Sequence, residues 1–144
     1  MTIRDVLKRK GQAVFTTRED ERLEIAINRL NERHVGSLVV LNDEDRVVGV
    51  LSERDVVEAI AERRDQALRE PVGRHANKDV YTCEPQDDIN KAMNWMTRHR
   101  VRHLPVVEGT KLLGLVSIGD LVKERMHAIQ DEANILRDMV IAQR

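Results

Sequence analysis

Two short spacings carry most of the chemistry open to this chain. Ser52 and Asp55, and again Ser117 and Asp120, stand three residues apart at the heads of predicted helices. A carboxylate so placed can accept from two adjacent hydroxyls of a ligand, while the serine hydroxyl and the free N–H groups of the first helical turn can hold a phosphate. The same S-x-x-D spacing is a capping box that stabilises any helix start, so both roles stand open. A basic run, Arg98-His-Arg-Val-Arg-His103, offers guanidinium forks for an anion. It can equally be a solvated helix end that complements the helix dipole. As a nucleic-acid patch it is disfavoured, being short and without interleaved aromatic residues. His99 and His103 straddle a predicted helix end with no third ligand in sight, so no metal site is expected. Cys83, at a strand end, reads as a small filler rather than a nucleophile. A Gly-rich phosphate loop, a Ser-His-Asp ordering and a metalloprotease signature are all missing, so no catalytic role is expected.

Composition narrows the partners. Of 144 residues, 41% are apolar and 34% charged, with a net charge of −1, so no overall field draws the chain to nucleic acid or to an anionic membrane. Phe15, Tyr81 and Trp95 are its only aromatic residues, too few for the stacking platforms of single-strand binders. The single cysteine excludes an internal disulfide and fits a reducing compartment. The N-terminus is charged from the outset, and apolar runs such as Leu38 to Leu41 are far too short to cross a bilayer. A soluble cytoplasmic protein of about one ordinary domain, or two very small ones, is expected.

The elements that must position these residues come twice. Displacing the chain by 66 residues lays Val14, Thr16, Ala26, Asn28, Val35, Leu38 and Val40 on identical residues. After one deletion the displacement becomes 65, and Gly49, Ser52, Asp55 and Val57 meet Gly114, Ser117, Asp120 and Val122. Each copy begins with an extended piece, Val14-Phe15-Thr16 or Val80-Tyr81-Thr82. Apolar residues at 23, 26, 27 and 30, and at 89, 92, 93 and 96, then mark the buried stripe of a helix. Pro85 suits the first turn of the second of these. The hairpins Ser37–Leu41 with Val47–Leu51, and His103–Val107 with Leu112–Val116, lead into a further helix from Ser52 or Ser117. The fold class is α/β (α+β): two tandem β-α-β-β-α repeats. A unit of this size buries too little apolar surface alone, so the two should pack about a pseudo-two-fold axis.

Each copy resembles a CBS domain, and the pair resembles a Bateman module. Arg102-His-Leu-Pro-Val-Val107, Gly114-Leu-Val-Ser117 and Asp120-Leu-Val122 follow the family pattern closely, whereas Val39 stands where the family often has proline. The resemblance implies a binding module with two clefts that hold adenosine-containing ligands such as AMP, ADP, ATP, S-adenosylmethionine or NAD(H), and no required cofactor. It implies that the aspartate of each S-x-x-D binds ribose, that Ser and nearby basic residues meet phosphate, and that the opposite copy's extended piece lines adenine. One cleft would then use Thr16, Thr17, Arg102, His103, Ser117 and Asp120. The other would use Tyr81, Thr82, Gly36, Ser37, Ser52, Arg54 and Asp55. With the basic run on the second copy, the cleft with Asp120 is expected to tolerate more phosphate charge.

The expected boundaries are 1–66 for the first repeat with its N-terminal segment, 67–127 for the second, and 128–144 for a helical extension. Val122, Met126, Ile129, Ala133, Leu136 and Val140 alternate spacings of four and three, a seam that a second copy of the chain could cover in a homodimer. Ile3, Val6 and Leu7, matched by Val72, should pack at the same edge. The expected function is a regulatory sensor of adenosine-containing nucleotides acting on a regulated protein that this sequence does not identify. The alternatives are a structural dimeric module with empty clefts and a weak nucleic-acid binder using Arg98 to His103.

Overall fold

The computed structural model describes residues 1–11 and 13–143. The expected helical stripes form α2 (Leu23–Arg33) and α5 (Ile89–His99), which bury Leu23, Ala26 and Leu30 and, equivalently, Ile89, Ala92 and Met96. The hairpins follow as β2 (Ser37–Leu41) with β3 (Val47–Ser52), and β4 (His103–Glu108) with β5 (Lys111–Ser117), both antiparallel. Ser52 opens α3 (Glu53–Arg63) and Ser117 opens α6 (Ile118–Ala142). Pro85 lies in a turn ahead of α5 rather than in its first turn. Asp88 caps that helix instead, accepting from the Lys91 N–H at 3.3 Å.

One extended piece forms its strand and the other does not. β1 (Thr16–Arg18) pairs in parallel with β2, and the Val39 N–H donates to the Phe15 carbonyl at 3.1 Å. The place of Val39 is taken in the second repeat by Pro105, which has no N–H to give to Tyr81. Val80-Tyr81-Thr82 therefore makes no ladder. Contact resumes at Cys83, whose N–H donates to the Pro105 carbonyl at 3.0 Å and whose carbonyl accepts from Val107 at 2.9 Å.

Each repeat is completed by the segment that precedes the other. α1 (Ile3–Lys10) buries Ile3, Val6 and Leu7 among Leu104, Val106, Val116 and Leu121 of the second repeat. α4 (Val72–His75), reached through a 3-10 turn at Arg64–Arg69, buries Val72 among Leu23, Leu38, Val40 and Leu51 of the first. The hydrogen bonds are equivalent. Ile3 and Arg4 donate to the carbonyls of Asp87 and Pro85, just as Val72 and Gly73 donate to those of Glu21 and Glu19. Two glycines make room for these segments. A Cβ on Gly114 would come within 2.9 Å of Leu7 Cδ2, and one on Gly49 within 3.0 Å of the Asn77 carbonyl oxygen. The N-terminal segment, as expected, lies along the last helix, where Arg9 pairs with Glu124 and Lys10 with Asp120, while Val72 serves the other repeat. The linker is tied down by Glu70, buried between Arg63 at 2.7 Å, Arg74 and His75 at 3.4 Å.

Candidate functional site

Both S-x-x-D pairs are capping boxes. The Asp55 N–H donates to Ser52 Oγ at 3.2 Å while the Ser52 N–H donates to Asp55 Oδ2 at 2.9 Å; the same bonds at Ser117 and Asp120 measure 3.1 and 2.8 Å. The cap fixes each carboxylate beside the exposed N–H groups of a helix start. In each repeat the helix is also tied to the residue entering the hairpin: Glu53 N–H donates to the Gly36 carbonyl at 3.0 Å, and Ile118 N–H to that of Arg102 at 2.9 Å.

A cavity of about 910 Å³ opens between the repeats on the Asp55 side. The first repeat contributes Gly36, Ser52, Arg54 and Asp55, and the second contributes Tyr81, Arg102 and His103. That volume lies in the range that small-molecule sites occupy. Arg102 and His103 therefore share a cavity with Asp55, where the family pattern assigns them to the Asp120 cleft. Arg54, Arg100 and Arg102 all line the Asp55 side.

The remaining site residues lie elsewhere. Thr16 is held in the β1 ladder, its carbonyl accepting from Arg29 Nη1 at 2.9 Å, and the buried Thr17 donates its hydroxyl to Glu21 Oε1 at 3.3 Å. Both belong to the first repeat's own framework. The bonds from Arg29, outweighing desolvation, hold the Glu21 carboxyl below its ordinary pKa. Ser37 is buried opposite Ser52 in the hairpin register, where the second repeat places His103 opposite Ser117. Thr82 lines a separate cavity of about 180 Å³ with Cys83, Asp87 and Trp95.

Electrostatics differ between the two aspartates. Lys10 Nζ lies 2.6 Å from Asp120 Oδ2. Desolvation opposes ionisation there, but the Lys10 and Ser117 hydrogen bonds outweigh it and hold the Asp120 carboxyl below its usual range. His103 is shifted down by burial first and by Lys10 next, with Asp120 and Asp55 pulling the other way. Burial thus favours its uncharged form, and Arg54, Arg100 and Arg102 bring positive charge to the cavity.

Sequence reasoning missed Asn77 and Asp79, which line the cavity from the linker, and Thr97 and Arg100 from the end of α5. Arg100 stood in the basic run, but its place in the cavity depends on a left-handed backbone, φ 55°, that ends α5. His99 leaves the run to stack on Tyr81 at 4.5 Å and beside Trp95 at 4.2 Å. The run is thereby divided between a ring cluster and a cavity wall instead of forming one basic face. Beyond Glu124, α6 leaves Met126, Ile129, Leu136 and Val140 exposed. Among the described residues no helix is long and apolar enough to cross a membrane, and no group of three or more His, Cys, Asp or Glu is arranged to hold a metal ion.

Known proteins share this arrangement. CBSX3, a mitochondrial CBS domain-containing protein of Arabidopsis thaliana, is 30% identical over 139 residues, covering 91% of this chain and 68% of the relative. The crystal structure of the CBS-domain protein ATU1752 from Agrobacterium tumefaciens superposes with a TM-score of 0.79 at 35% identity, over 86% of this chain and 92% of that one. The CBS domain pair of MJ0100, solved in complex with 5-methylthioadenosine and S-adenosyl-L-methionine, shares the fold at a TM-score of 0.77 and 16% identity, over 89% and 98% of the two chains. The CBS domain family matches residues 3–62 and 72–127, and with both copies of its repeat in place this chain belongs to that family as a tandem CBS pair.

Proposed function

We propose that this chain is a regulatory module, not an enzyme, that holds an adenosine-containing ligand in the cleft at Asp55. The observation that carries the reading is the joint lining of one cavity by a capped carboxylate of the first repeat and the arginines of the second. Asp55 would accept from the two ribose hydroxyls, Ser52 and the α3 N–H groups would meet phosphate with Arg54 and Arg102, and Tyr81 would lie beside the base. Gly36 and His103 complete that wall. Ser117 and Asp120 would line the pseudo-symmetric second cleft. The candidate ligands are AMP, ADP, ATP, NAD(H) and S-adenosylmethionine, the last supported by the MJ0100 complex. Signalling requires that the ligand bind one arrangement of the repeats better than another, since equal affinity would shift nothing.

Thermal unfolding with each candidate ligand in turn tests the reading. A ligand at a hundred times its Kd should add about 2.7 kcal/mol, which raises Tm by roughly 5 to 10 °C at this size. Asp55→Asn, which keeps a cap acceptor and removes the charge, should abolish the shift. A chain that responds to none of these ligands is not such a sensor.

We further propose that α6 pairs two copies of the chain. Its exposed Met126, Ile129, Leu136 and Val140 form one apolar seam, and such a seam calls for cover.

A further inference from the structure

Asp55 and Asp120 are equivalent in sequence and in capping geometry, yet one of them already has its ligand. Lys10, the last residue of α1, sends Nζ to Asp120 Oδ2 at 2.6 Å and to the Leu115 carbonyl at 2.7 Å. One turn along α6, Arg9 Nε meets the buried carboxylate of Glu124 at 3.0 Å. Below these two pairs Ile3, Val6 and Leu7 are all but fully buried, so Lys10 arrives on a docked helix and not on a loose tail.

Among the described residues nothing equivalent reaches Asp55. Among the described residues its carboxylate accepts hydrogen bonds only from Ser52, and Arg54 turns away to Glu58 at 3.1 Å. The segment that corresponds to α1 is α4, whose Arg74 and His75 are spent on Glu70. α4 stops at His75, and the chain beyond it runs extended past the cavity, bringing Asp79 to the lining, an acid where the other cleft has an ammonium group.

We propose that Lys10 is a built-in counter-ion that closes the Asp120 cleft, so that a ribose-bearing ligand occupies the Asp55 cleft alone. This rests on the adenosine reading above. A diol binds a carboxylate by donating to it, and at Asp120 the ammonium group of Lys10 already donates at hydrogen-bonding distance. Entry there requires breaking both Lys10 bonds while the neighbouring Arg9–Glu124 pair still holds the helix end in place. Lys10 therefore sets how many ligands one chain binds.

Isothermal titration of the full chain with AMP, and separately with ATP, tests this. The wild type should take up one equivalent per chain, lost in Asp55→Asn. Lys10→Met should take up two, and Lys10→Met with Asp55→Asn should keep one, now at Asp120. Lys10→Arg, which retains the cation, should stay at one. If Lys10→Met does not fold, Lys10→Gln carries the same expectation. Two equivalents in the wild type, one in Lys10→Met, or weaker binding on losing Lys10 would overturn the proposal while leaving the adenosine reading intact. Absence of binding by every variant overturns the adenosine reading, and this inference with it.

Discussion

Leu7 occupies the space that a side chain on Gly114 would need, with only 2.9 Å from a built Cβ to Leu7 Cδ2. At the equivalent Gly49 the obstacle is the Asn77 carbonyl oxygen at 3.0 Å, on a backbone that exchanges two hydrogen bonds with Val50. A leucine methyl can turn aside, and a paired carbonyl cannot. Gly49→Ala should therefore cost about 1 to 3 kcal/mol, the usual range for overpacking, and Gly114→Ala clearly less. Urea unfolding of the two variants measures this, and equal losses would contradict it.

The seam of α6 gives a second prediction. Ile129 and Leu136 are 54% and 57% exposed. Replacing both with glutamate should leave stability of the single chain nearly unchanged and convert a dimer to a monomer in sedimentation velocity. A wild type that sediments as a monomer at tens of micromolar refutes the pairing.

His103 should make stability depend on pH. Its pKa is depressed in the folded chain, chiefly by burial, so the unfolded chain takes up the proton first, near the ordinary value of about 6.5. Stability is then complete above that value and falls as pH drops through it toward the lowered folded pKa. The depressed carboxylates of Asp5, Glu21 and Asp120 lose their contribution only at lower pH, in the carboxylate range. Urea unfolding at pH 7.5, 6.5 and 5.5 should therefore show a decline that His103→Gln reduces. An unchanged slope in that variant would assign the dependence to another group.

Cys83 should be inert while the chain is folded. Burial first, and Asp87 next, push its thiol up to about 12, leaving almost no thiolate at pH 8. A chromogenic disulfide reagent should release no colour from the native chain within minutes and one equivalent after denaturation. Prompt reaction of the native protein would show that the thiol opens to solvent.

The sequence discloses the repeat because packing repeats with it. Leu38 and Leu104, Val40 and Val106, and Ala26 and Ala92 are buried at equivalent places, so the periodic apolar positions lead directly to the helices and hairpins. Ser52 and Ser117 could be placed at helix starts for the same reason, since capping is a local interaction. What could not be read locally is which segment closes which core. Ile3 and Val72 look alike in sequence, and only the fold puts them on opposite repeats. The grouping of site residues is decided at the same level. Arg102 follows the family pattern, yet its side of the cavity is decided by how the two repeats meet, which no spacing along the chain records. Val39 and Pro105 are the instructive exception. That difference was visible as one residue, but its effect, a missing strand at Tyr81, emerges only when the N–H that proline lacks is needed by a partner.

The exchange of leading segments also orders events in time. α1 has its hydrophobic partners, Leu104, Val106, Val116 and Leu121, about a hundred residues downstream. During synthesis α1 has nowhere to go until the second hairpin and the base of α6 have emerged, so it settles after both repeats have been made. Contacts of such long sequence separation slow folding. Cutting the chain in the linker would yield two pieces that each carry the other's lid, and they should regain structure better when mixed than apart.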